Sequence, residues 1–239
     1  MTALPDGPDE PLVRARSAVR GMVRIQIAAN GLGALLVGLY FRYLFPAAAE
    51  EALEQRSLNV WVFSIFLGAM FLVGLPVNAA LLRRAVSWVA EDRPPSVRER
   101  RLLFSLPAME TATALVSWFA GAILFGLINT DLSRISVGIA LAGIVTCTLL
   151  YLLLEGHFRP LFALALRHAE LPETRWDVGP RLMLAWLLGS GIPLLAVSLG
   201  NYIAPGPLDE TRLAWVGAVA LAAGAAVMLL AARSVVRPI

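Results

Sequence analysis

Few side chains in this sequence are of a type that does chemistry, and their spacing limits what they could do. His157 and His168 are the two histidines. On one continuous helix they would share a face but stand about 16 Å apart along the axis, too far to hold one metal ion. A juxtamembrane surface position suits them better. Glu110 and Glu155 are carboxylates near the ends of apolar stretches. A carboxylate in such a stretch is a functional-site candidate by default. Both lie within a turn or two of the stretch's end, so structural pairing is the better reading. For Glu155 the partner would be Arg159, at the favourable i, i+4 spacing. Cys147 is the single cysteine, which excludes an internal disulfide and any Cys-based zinc site. No phosphate loop, metal-ligand cluster or nucleophile beside a base is present, so the convergent polar set that catalysis requires is missing from the sequence.

The remaining polar candidates are isolated. Gln26, Asn30, Asn78 and Asn129 are amides near the ends of apolar stretches, suited to hydrogen bonds between helices worth about 0.6–2 kcal/mol. Arg42 stands among Tyr40, Phe41, Tyr43 and Phe45. Snorkelling to the headgroups beside an aromatic belt accounts for it. A sharper reading makes Arg42 the anchor for a lipid carboxylate, which its bidentate fork suits. Tyr43, Phe45, Trp61, Phe125 and Tyr202 would then form the aromatic surround.

These residues are set in a very apolar chain. Of its 239 residues 58% are hydrophobic and 15% charged, and the mean hydropathy is +0.72. Soluble domains carry about 45–50% apolar and about 25% charged residues. The composition therefore excludes an ordinary soluble fold, a disordered chain and a disulfide scaffold, and points to an all-α polytopic membrane protein. All 20 basic residues are Arg, none Lys, and the net charge is +3. The Arg residues are spread over several loops, which is no nucleic-acid footprint.

A membrane crossing needs about 20 mostly apolar residues. Six stretches qualify: about 25–45, 58–82, 107–129, 135–155, 182–203 and 213–232. Residues 1–11 read as a disordered tail and 12–24 as a short basic helix leading into the membrane. Ala47-Ala48-Ala49 resembles a signal-peptide cleavage site, but the stretch before it is longer than the usual h-region. With the N-terminus in the cytoplasm, 16 Arg fall inside and 4 (Arg42, Arg56, Arg134 and Arg212) outside. By the positive-inside rule both termini are cytoplasmic, in a plasma or inner membrane. The outer loops are too short for a soluble sensor domain. On the inner side Ser96 and Glu99 form an S-x-x-E capping box, opening a helix that should lie at the interface until Pro107 begins the third span. Pro160 should kink the inward extension of the fourth span. Pro193, after Gly189-Ser190-Gly191, is the one break within a span. Small residues at Gly31, Ala34 and Gly38, and at Gly217, Ala220 and Gly224, mark close helix contacts.

The chain closes on Arg233, Val235, Val236, Arg237, Pro238 and Ile239. Arg237-Pro238-Ile239 resembles the start of a HAMP linker. The segments NGLGALLVGLYFRYLFP (30–46), LLEGHFRPLFALAL (153–166) and GPRLMLAWLLGSGIPLLAV (179–197) resemble the N-terminal membrane domain of actinobacterial class III adenylate cyclases. In that family six helices, a HAMP linker and a cyclase domain follow one another. The resemblance implies a homodimer, with residues 233–239 opening the linker and Arg233, Arg237 and Pro238 passing the signal. The family's magnesium or manganese ions and its ATP belong to a catalytic domain that these residues do not include, so no catalytic residue is carried over. The expected function is membrane anchoring, dimerisation and regulation of cAMP synthesis, with a long-chain fatty acid or similar lipid as the signal. The alternatives are a passive anchor without ligand and a small transporter.

Overall fold

The computed structural model describes residues 10–39, 53–129 and 134–166, together with isolated helical positions between 183 and 222. Among them are four long helices: α1 (Glu10–Leu39), α2 (Leu53–Ala90), α3 (Val97–Ile128) and α4 (Arg134–Leu166). Each contains a stretch long and apolar enough to cross a membrane. The stretches expected at 182–203 and 213–232, and residues 233–239, lie outside the continuously described residues. Ser190 and Gly191 form a widened π turn just before Pro193, the place where a break was expected.

The helices pack as a ring, with α1 beside α4 and α2, and α3 beside α4 and α2. At 1.5 Å per residue the 33 residues of α4 extend about 50 Å, well beyond a hydrocarbon core of about 30 Å. Arg20 and Arg24 of α1, Arg83 and Arg84 of α2, Arg98, Arg100 and Arg101 of α3 and Arg159 of α4 all fall toward the end of the bundle that carries the α2–α3 turn. The best-packed core lies at that end. Met22 of α1, Ala85, Trp88 and Val89 of α2, Leu103 and Leu106 of α3, and Phe158, Leu161, Phe162 and Ala165 of α4 form one buried cluster. Phe104 and Phe162 stack within it, with ring centroids 4.7 Å apart. At the opposite end, Val60, Trp61, Ile65, Leu72 and Val73 of α2 are exposed, as lipid-facing residues should be.

The α2–α3 connection is closed by local chemistry. Asp92 takes the left-handed conformation (φ 47°), and the Arg93 N–H bonds to the Trp88 carbonyl at 3.2 Å, a Schellman-type ending. The capping box then opens α3. Glu99 N–H donates to Ser96 Oγ at 3.3 Å, and Ser96 N–H donates to Glu99 Oε2 at 2.8 Å. Glu99 also accepts bonds from Arg93 (2.6 and 2.8 Å) and from Ser87 Oγ (2.8 Å), locking the turn to α2. Glu99 first, and Glu91 second, raise the pKa of the Arg93 guanidinium above its already high ordinary value. Replacing Ser96 with Ala should lower stability by about 1 kcal/mol, read as a lower thermal midpoint, because one helix-terminal N–H loses its acceptor.

The expected boundary at Pro107 is not seen. An interfacial helix and a third span were expected to meet there, but α3 runs unbroken from Val97 to Ile128 with Pro107 buried inside it. Thr111 Oγ1 donates to the Pro107 carbonyl at 2.7 Å. That is an ordinary back-bond of a helical threonine; the carbonyl that Pro107 leaves without its donor is Leu103's, and burial among neighbouring helices accommodates the proline. Helix α2 likewise continues through Pro76, and α4 through Pro160. Helix α1 already includes Glu10 and Pro11, inside the stretch read as a tail; proline in a first turn forfeits no intrahelical hydrogen bond.

Candidate functional site

Of the residues expected to surround a lipid carboxylate, Trp61 and Phe125 are described. Arg42, Tyr43, Phe45 and Tyr202 lie outside the described residues, as do Arg233, Arg237 and Pro238. Trp61 is 65% exposed on α2, and Phe125 is half-buried on α3. They lie close in sequence to an amide cluster that joins these two helices at the end away from the α2–α3 turn. Asn129 Oδ1 accepts from Gln55 Nε2 and from Asn59 Nδ2, both at 2.8 Å. Asn129 Nδ2 donates to Asn59 Oδ1 at 2.9 Å and to the Phe125 carbonyl at 2.8 Å. Gln55 and Asn59 escaped the sequence reading. Their signal was the i, i+4 pair of amides opening α2, which has no meaning until Asn129 is known to face it. Ser136 Oγ donates to the Ala122 carbonyl at 2.8 Å, tying α4 to α3 near the same end.

The ring of helices contains a second polar series. Gln26 Nε2 of α1 donates to Glu110 Oε2 of α3 at 2.7 Å. Asn78 of α2 reaches the same carboxyl. That approach does not close a hydrogen bond of ordinary geometry, and Glu110 Oε1 has no partner among the described residues. One turn further along α1, Asn30 Oδ1 accepts from Trp118 Nε1 of α3 at 3.1 Å. Beyond it lies Thr146 of α4, fully buried, its hydroxyl also without a partner among the described residues. The expectation that Gln26, Asn30 and Asn129 join helices through hydrogen bonds agrees with these contacts. Glu110 is paired as expected, though with the amide of Gln26, and it is 3% exposed between the helices.

Among the described residues of one chain, the close approaches along α1 fall on Gly33 and Gly21, which leaves Gly31, Ala34 and Gly38 open to contact with a second copy. Gly31 and Gly38 have open space where a Cβ would stand, and Ala34 is exposed. Gly33 and Gly21 make the contacts within the chain. A Cβ on Gly33 would overlap Thr146 Oγ1 and lie 2.5 Å from Trp118 Cζ2. One on Gly21 would overlap the His157 imidazole. His157 is thus half-buried against α1, and not merely a surface residue; its ring centroid is 5.7 Å from that of Phe158. His168, Gly217 and Gly224 lie outside the described residues. No three His, Cys, Asp or Glu side chains among the described residues come together as metal ligands would.

The chain is similar to three uncharacterized proteins of Mycobacterium tuberculosis. One is 30% identical over 199 residues, covering 80% of this chain and 35% of the relative. A second is 30% identical over 207 residues, covering 82% and 38%. The third is 29% identical over 197 residues, covering 78% and 36%. The chain therefore spans about a third of the length of the curated relatives it matches. No family model matches, and no solved structure matches.

Proposed function

We propose that this chain is the membrane-embedded regulatory part of a class III adenylate cyclase. In this reading six helices cross the plasma membrane, both termini are cytoplasmic, and the domain works as a homodimer. A signal passes through a HAMP linker opened by Arg233, Arg237 and Pro238 to a domain that makes cAMP from ATP with magnesium or manganese. The observation that carries the reading is the pattern of the match: a chain of membrane-length helices aligns with only about a third of each relative. That is what a membrane module joined to a larger partner domain would produce. The cyclase itself rests on the resemblance of residues 30–46, 153–166, 179–197 and 237–239.

A ligand changes output only if it binds one arrangement of the helices better than another. The outer loops are short, so the signal should enter through the bilayer, as a long-chain fatty acid would. Arg42 is the carboxylate anchor in this proposal, with Tyr43, Phe45, Trp61, Phe125 and Tyr202 around it. Fusing the chain to a HAMP–cyclase unit and measuring cAMP synthesis in membranes tests this. The expected result is fatty-acid-dependent synthesis that is lost in Arg42→Ala and when the helices are exchanged for an unrelated dimeric anchor. Equal output from both anchors, with no lipid response in either, would reduce the domain to a passive dimeriser. Solute flux through liposomes carrying the chain alone would favour a transporter.

A further inference from the structure

We propose that Glu110 binds a proton inside the bundle, and that the neutral carboxyl so formed is the joint between α1, α2 and α3. The inference is independent of the lipid and cyclase readings.

Three features of the site lead to it. Glu110 is 3% exposed and lies one turn beyond the buried Pro107, where α3 passes from the core near the α2–α3 turn into the apolar part of the bundle. Its Oε2 is satisfied by Gln26 Nε2 at 2.7 Å, a neutral donor. Its Oε1 is enclosed with no partner among the described residues, although the Asn78 amide is at hand. As a carboxylate this group would hold a full negative charge against one neutral hydrogen bond. Burying such a charge without a counter-ion costs several kcal/mol.

Among the described residues, no cation of the packed helices forms an ion pair with that carboxyl. On α1, Arg20 and Arg24 are exposed, and Arg24 is two residues from Gln26, so it projects from the other side of the helix. On α2, Arg83 and Arg84 are exposed. On α3 itself, Arg100 and Arg101 precede Glu110 by about three turns. Helix α4 brings Glu155, of the same sign, with Arg159, and His157, whose ring is set against Gly21 of α1. Glu110 makes no ion pair with any described residue. Protonation resolves the conflict. The Oε1 hydroxyl becomes a donor, and the Asn78 amide, turned to present its carbonyl, can accept from it, while Oε2 keeps its bond from Gln26. One proton then satisfies side chains from three helices, and its release leaves a bare charge where they meet.

Linkage gives the sign of the effect. The folded chain holds a proton that the unfolded chain gives up in the ordinary carboxylate range, so stability declines as the pH rises above that range. The test is infrared difference spectroscopy of the full chain in phosphatidylcholine vesicles, with the pH stepped from mildly acidic to alkaline. The expected result is a protonated-carboxyl C=O band at neutral pH that is lost in Glu110→Gln, persists in Glu155→Gln and shifts in frequency in Glu110→Asp. In parallel, the thermal midpoint of Glu110→Gln should match wild type in acid, below the ordinary carboxylate range, and exceed it increasingly from neutral pH into alkali. Absence of the band in wild type at neutral pH overturns the proposal, and so does a band that survives Glu110→Gln. Because the wild-type band is read directly, the test holds even where a variant does not fold.

Discussion

Replacing Phe158 with Ala should lower the stability of the bundle by about 3–5 kcal/mol, the range for deleting a buried aromatic ring. Phe158 is 0% exposed, and its neighbours close around it from all four helices. Phe162 lies 6.3 Å away by ring centroid and itself stacks on Phe104 of α3, so the cavity cannot be filled by one side chain turning inward. The position along the helix matters as much as the burial. Phe158 belongs to the Arg-rich end of the bundle, and if that end stands in water the full transfer term applies to it. Leu72 is the control. It is 79% exposed on the lipid-facing side of α2, where the alternative to its present surroundings is more lipid. Leu72→Ala should shift the unfolding midpoint in nanodiscs little, and Phe158→Ala should shift it far. Equal shifts would show that this core is no stronger than the rest.

The second large effect is expected at Gly143. A Cβ there would stand 2.6 Å from Trp118 Cβ and 2.9 Å from its Cγ. The nearer atom is fixed to the α3 backbone, so no rotation of the indole relieves the clash and the two helices must separate. Gly143→Val should therefore lose about 2–3 kcal/mol to overpacking. The separation should also strain the Trp118–Asn30 hydrogen bond and carry the disturbance to α1. Gly31→Ala gives the opposite result, because nothing described stands within 4 Å and a helix gains up to about 1 kcal/mol when Ala replaces Gly. Thermal unfolding of the two variants side by side would check the pair. Destabilisation by Gly31→Ala would place a further surface against that face of α1.

The glycines illustrate which parts of this structure could be read from residues alone. Apolar runs locate α1 to α4 because length and hydropathy are local properties, and Ser96 with Glu99 marks the start of α3 because capping operates within one turn. Contact is not local. The series Gly31, Ala34, Gly38 has the right spacing for close packing, yet Gly33 makes the contact within the chain, because Trp118 arrives from a helix more than eighty residues away. Pro107 was misread for the same reason. Its local effect is to interrupt a helix, but burial among neighbouring helices outweighs the lost hydrogen bond. Glu110 was placed by depth near the headgroups, on the assumption that the helix ends where the apolar stretch does. Helices α1 and α3 enclose the carboxyl at Gln26, a burial that depth along the sequence does not reveal. The expected surround of Arg42 was built from residue type and depth, and Trp61 and Phe125 are its members whose positions are described.

The core near the α2–α3 turn also bears on what solvates the bundle. Around Val60, Leu72 and Val73 of α2 the medium is hydrocarbon, and packing there owes little to water. If the end that carries Trp88, Leu103, Phe158 and Phe162 stands in water, as its Arg residues favour, it should have the heat-capacity signature of a small soluble protein. Urea and cold should weaken it, and excluded osmolytes should tighten it, while the lipid-embedded ends respond to bilayer thickness instead. The four helices would then be clamped at one end by a force that the membrane does not supply and that conditions in the adjoining aqueous compartment can tune.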